Sequence, residues 1–136
     1  MPVSYEIDVA RRVVRVTMSG DFSADQTAAL FERLAVDPDL QLGMAQLVDL
    51  THASAPPTSA ESESLAFALS RLRARFEGAR CAVVVAHPAM YGAIRQLAAL
   101  AGRAGIDVRP FHDREAAAEW LRAAGRRPPN EADAHP

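Results

Sequence analysis

Lysine does not occur in this chain: all 15 cationic side chains are arginine. Its absence removes Schiff-base chemistry, the phosphate-binding lysine of nucleotide loops and a lysine general base. Cysteine is almost as scarce. The single Cys81 excludes an internal disulfide and suits a reducing, cytoplasmic setting. Set in the apolar run 81–86, it reads as an inert buried thiol rather than a nucleophile. No apolar stretch approaches the roughly 20 residues of a membrane span, and residues 1–12 carry no signal-peptide core. Glycine-rich phosphate loops, a Gly-x-Ser-x-Gly turn and paired-histidine helix motifs are all missing. A net charge of −2 gives no basic footprint for nucleic acid. With those classes set aside, the reading is non-enzymatic, with no cofactor motif.

What is present describes one α/β domain. At 136 residues and 49% hydrophobic, the chain can bury a core without staples. Residues 3–8 and 13–18 alternate apolar and polar side chains, as half-buried strands do, and their short link predicts an antiparallel hairpin. Gly20 ends the second strand. Ser23 and Gln26 have capping-box spacing and open a helix to about Ala35, with Leu30, Phe31 and Leu34 inward, stopped by Asp37–Pro38. Residues 45–50 predict a strand, and 58–76 a helix with Leu65, Leu69, Leu72 and Phe76 on its inner face. The continuous apolar run 81–86 predicts a central parallel strand. Pro88 starts a helix striped by Met90, Ile94, Leu97 and Ala101 and ended by Gly102 or Gly105. Residues 106–111 form a last strand, and Asp113 caps a last helix carrying Ala117, Trp120, Leu121 and Ala124.

The order is therefore β-β-α-β-α-β-α-β-α: a mostly parallel five-stranded sheet with an N-terminal antiparallel hairpin and four helices, over residues 1–125. Residues 126–136, polar and proline-rich, read as a disordered tail. In such sheets ligands gather beyond the carboxyl ends of the strands. That places function in the loops 51–58, 87–91 and 112–115, and singles out Asp49, Thr51, His52, His87, Tyr91 and His112 as the ligand-binding set.

Each of these has two readings. His52, His87 and His112 each follow a strand and could converge on a metal, yet come from separate loops; the plainer reading is a helix cap and two loop residues. Tyr91 can line a pocket mouth, or Tyr91–Gly92 can reflect close packing of helix on sheet. Thr58 and Glu61 have capping-box spacing, so the hydroxyls there either meet an anion at the helix N-terminus or only cap it. Ser59, Ser62 and Ser64 are candidate phosphoacceptors of an ordinary kind. Arg71, Arg73, Arg75 and Arg80 are read as a solvated face that complements the helix dipole.

Several segments together resemble the SpoIIAA-like family, small stand-alone relatives of STAS and Sec14-type domains. They are Tyr5–Asp8, Gly20, the LVDLT of 47–51, the AVVVAHPAMYG of 82–92 and the VRPFHDREAAAEWL of 108–121, covering roughly residues 3–122. The Sec14-like side of this resemblance implies an apolar pocket for a small hydrophobic or lipid-like molecule, with peripheral membrane contact as an option. The STAS side implies a regulatory protein partner and a phosphoacceptor after the LVDL-type strand, here Thr58 or Ser59, although Pro56–Pro57–Thr58–Ser59 replaces the family's Asp-Ser-Ser/Thr-Gly signature. The hairpin also leaves an edge strand that can pair with a second copy as a homodimer.

Overall fold

In the computed structural model, which describes residues 3–76 and 78–126, the chain forms one five-stranded mixed sheet with spatial order β1-β2-β3-β4-β5. The strands are β1 (Val3–Asp8), β2 (Val13–Gly20), β3 (Ala45–Ala53), β4 (Arg80–Val84) and β5 (Asp107–Phe111). The helices are α1 (Ala24–Ala35), α2 (Ser59–Arg71), α3 (Arg73–Phe76), α4 (Pro88–Gly102) and α5 (Arg114–Arg126). β1 runs antiparallel to β2, with Tyr5 opposite Val16, while the β2–β3, β3–β4 and β4–β5 pairings are parallel. None of the helices among the described residues is long and apolar enough to cross a membrane.

This topology dictates where the helices lie. Every parallel crossover steps one strand further in the same direction, and right-handed crossovers of that kind deliver their helices to a single face. Accordingly Leu30 and Leu34 of α1, Leu65 of α2 and Ile94 and Leu97 of α4 share one core with Val14, Val16, Val48 and Val83. Only the helix after the last strand is free to cover the opposite face. There α5 packs Ala117 and Leu121 on Ala82 and Val84 in a second, smaller cluster. One helix cannot cover five strands, so α5 lies over β3, β4 and β5 and leaves β1 and β2 uncovered on that side.

Local signals set the helix ends. Ser23 Oγ accepts from the Gln26 amide at 3.1 Å while the Gln26 side chain accepts from the Ser23 amide at 2.8 Å. A second capping box closes at Thr58, whose Oγ1 accepts from the Glu61 amide at 3.1 Å as Glu61 accepts from the Thr58 amide at 3.0 Å. Each satisfies two amides that the helix cannot. Asp113 opens α5, accepting from the Glu115 amide at 2.9 Å. α4 ends at Gly102, and the turn back into β5 passes through Gly105 at φ +80°, a left-handed conformation that suits glycine.

Several expectations need correction. The helix foreseen over 58–76 divides at Leu72, giving five helices among the described residues rather than four. The break follows from tertiary contacts. Arg75 donates to the Ala35 carbonyl at 2.9 Å and the Leu40 carbonyl at 3.0 Å, and Phe76 packs edge-on against Phe31 with ring centroids 5.9 Å apart. Arg75 is thus tied to carbonyls instead of belonging to a solvated face. Trp120 packs on the smaller cluster while remaining half-buried: it tilts against Phe111 and has the Arg80 and Arg109 guanidiniums 4.8 and 5.0 Å from its ring centroid. Arg126, assigned from sequence to the tail, belongs to α5; the rest of that tail lies outside the described residues.

Candidate functional site

The carboxyl ends of β3, β4 and β5 share one edge of the sheet, but β3 reaches further than its apolar run suggests. β2 carries an irregularity between Thr17 and Ser19 and then continues beside β3, pairing Ser19 with His52 and Gly20 with Ala53. Gly20, at φ +64°, turns the chain away there while its carbonyl accepts from the Ser54 amide at 3.0 Å. Thr51 and His52 are therefore strand residues. Because side chains alternate along a strand, neighbouring positions of β3 serve opposite faces of the sheet.

On the α5 face, Asp49 Oδ1 accepts from the Thr51 hydroxyl at 2.6 Å and the Thr51 amide at 2.9 Å, and its Oδ2 meets Arg114 at 2.7 Å. Burial alone pushes the Asp49 carboxyl up; the Thr51 bonds and the Arg114 charge outweigh it and hold the carboxyl below its ordinary range. A carboxylate so occupied works as a strap joining β3 to the start of α5. Its lowered carboxyl is a weaker base than a free one.

On the other face, Tyr91 of α4 stacks on His112 after β5, with ring centroids 4.6 Å apart and planes 11° from parallel. His87 occupies the N-cap position of α4, yet its side chain makes no capping bond. Gly92 is exposed, and a Cβ built there meets nothing within 4 Å, so neither close packing nor close backbone approach explains it. His52 is exposed as well. Among the described residues no group of three or more His, Cys, Asp or Glu side chains is arranged to hold a metal ion. The structure thus joins Asp49 with Thr51, and Tyr91 with His112, as two pairs on separate faces.

The apolar space lies elsewhere, beneath α2. A cavity of about 70 Å3 opens between the sheet and the α1, α2 and α4 layer, walled by Phe31, Val48, Leu50, Leu65, Val83 and Leu97 among others. Thr27 is its one hydroxyl-bearing wall residue, and that hydroxyl is already bonded to the Ser23 carbonyl at 3.1 Å. Through the shared walls Phe22, Pro57 and Leu65 it adjoins a mouth of about 120 Å3 between Gly20–Phe22 and Ala55–Pro57. Through Phe31, Leu69, Cys81 and Val108 it adjoins a further gap of about 20 Å3. Cys81 forms part of this wall as a buried thiol, pushed up to about 12 by burial and, secondarily, by Asp107.

Among known proteins, no family model and no curated sequence matches this chain. The residues themselves must carry the argument.

Why the space exists is legible in α2. The helix rests mainly on α1 and α4, and its only buried residues are Ser62 and Leu65. Ser62 is fully buried, and its Oγ is the one buried side-chain polar atom without a hydrogen-bond partner among the described residues. It sits three residues before Leu65, on the same face of the helix. From sequence, Ser62 is an ordinary helical serine and a candidate phosphoacceptor; its full burial removes it from that role. Thr58 and Ser59 are exposed beside the mouth, where Pro57 and Glu61 contribute walls. No local pattern announces the cavity, because its walls come from seven different elements.

Proposed function

We propose that this chain is a non-enzymatic binding module of the SpoIIAA-like kind, holding a small apolar, lipid-like molecule between the sheet and α2. The observation that carries the reading is the apolar cavity of about 70 Å3 with its adjoining mouth of about 120 Å3. An apolar void this deep forfeits dispersion contacts along its whole lining, a cost that an apolar guest relieves. The volume falls short of the roughly 300–1,000 Å3 typical of ligand clefts, so α2 must lift to admit a guest of that size. α2 is suited to lifting. It buries one leucine and one serine, and segments with few buried apolar contacts open at low free energy. Asp49, Thr51 and Arg114 then brace the sheet on the far side, while Tyr91 and His112 lie outside the cavity wall.

Native mass spectrometry against fatty acids of increasing chain length tests this. One adduct per chain is expected, and Leu69→Trp, which fills the cavity from the α2 side, abolishes it. No adduct with any member of the panel would defeat the carrier reading. A phosphate's mass on the peptide bearing Thr58 and Ser59, in protein purified from its host, would favour instead a STAS-type switch acting on a protein partner.

A further inference from the structure

A second, wider concave surface lies at the opposite end of the described residues. A groove of about 670 Å3 runs between the β1–β2 turn and α5, at the amino ends of the parallel strands. It exists because α5 covers only part of its face of the sheet. The floor is Val13, Ala45 and Leu47, and α5 contributes Ala118 and Leu121 as one wall. The rim carries five arginines, Arg11, Arg12, Arg15, Arg80 and Arg122, and the carboxylates beside it among the described residues are three: Asp8, shared by Arg11 and Arg15, Asp107, 3.9 Å from Arg80, and Glu119, paired with Arg122.

The rim is also pre-arranged. Arg15 is held by Asp8 at 3.2 Å, and Arg122 by Glu119 at 2.9 Å. Arg80 donates to the Trp120 carbonyl at 3.0 Å and lies over the Trp120 ring. Arg12 bonds to the Gln41 side chain and, at 3.2 Å, to the Leu42 carbonyl. These bonds employ only some of the five N–H donors on each guanidinium, so the rim is both oriented and able to donate further. The left-handed φ of +55° at Arg12 belongs to the β1–β2 turn, which its amide closes onto the Val9 carbonyl at 3.3 Å.

We propose that this groove binds a small soluble organic anion, a phosphate monoester or carboxylate carried on an apolar body. The arginines grip the anionic end in forked fashion, and the Val13–Leu47–Leu121 surface covers the apolar end. The volume lies within the range of small-molecule clefts. This site is separate from the α2 cavity and does not depend on what fills it.

Amide shifts of the full-length protein, titrated with phenyl phosphate, inorganic phosphate and phenol, provide the test. Phenyl phosphate should perturb Val13, Ala45, Leu47 and Leu121, and bind at least about ten-fold more tightly than either half-molecule alone. Arg12→Gln with Arg122→Gln should weaken it by about ten-fold or more, while the far-UV circular dichroism and the amide shifts away from the groove stay unchanged as a check on folding. Equal affinity for inorganic phosphate, shifts confined to the α2 cavity, or unchanged binding in the double variant would each overturn the proposal. Co-sedimentation with phosphatidylglycerol vesicles without any phenyl phosphate shifts would overturn it in favour of a membrane surface.

Discussion

Replacing Ser62 with alanine should make the protein more stable, against the usual direction of core substitutions. The Ser62 hydroxyl is fully buried with no partner among the described residues, and an unsatisfied buried hydroxyl costs about 1–3 kcal/mol. Alanine also improves helix propensity within α2, by about 0.5 kcal/mol. Opposing these is the loss of one heavy atom's packing, a few tenths of a kcal/mol from its contacts. The net expectation is a gain of about 1–3 kcal/mol. Urea denaturation read by far-UV circular dichroism measures it as a raised midpoint at constant slope. Ser64→Ala, exposed on the same helix, isolates the propensity part and should gain no more than about 0.5 kcal/mol. Loss of stability in Ser62→Ala would refute the reasoning, because it would mean that the hydroxyl is well bonded in solution.

Three further expectations follow from other parts of the molecule. Phe76→Ala removes a ring only 2% exposed from its edge-on contact with Phe31, and should cost about 3–5 kcal/mol in the same denaturation assay. Cys81, buried and pushed up to about 12, should react with an aromatic disulfide reagent at pH near 8 far more slowly in the native protein than in urea, through transient lifting of α2; native labelling as fast as in urea would show that the thiol is not buried. The Asp49 carboxyl is depressed in the folded protein, so it contributes stability above its unfolded value of about 3.9, and that contribution disappears as pH falls through the lower folded value. Asp49→Asn should therefore lower stability at neutral pH and flatten the acid limb of the stability–pH curve; an unchanged limb would show that Thr51 and Arg114 do not stabilise the carboxylate.

The features that sequence alone decided are those whose cause lies within a few residues. Both capping boxes, at Ser23 and Thr58, close as their spacing requires, because the partners are three positions apart on one helical turn. The stripe Met90, Ile94, Leu97 and Ala101 is buried because its period is the helix's own. The β4 residues Cys81–Val84 are buried on both sides, as a continuous apolar run implies. Tertiary structure decided whatever depends on distant partners. Pairing with the bulged end of β2 carried β3 on through Thr51 and His52, and alternation along that strand then divided the expected rim between two faces. Carbonyls at Ala35 and Leu40, some forty residues away along the chain, anchor Arg75 just beyond the break at Leu72. The α2 cavity and the arginine groove have no sequence signature at all. Both are spaces left over when helices of given length are laid on a sheet of given width, and such a remainder is a property of the assembled layers.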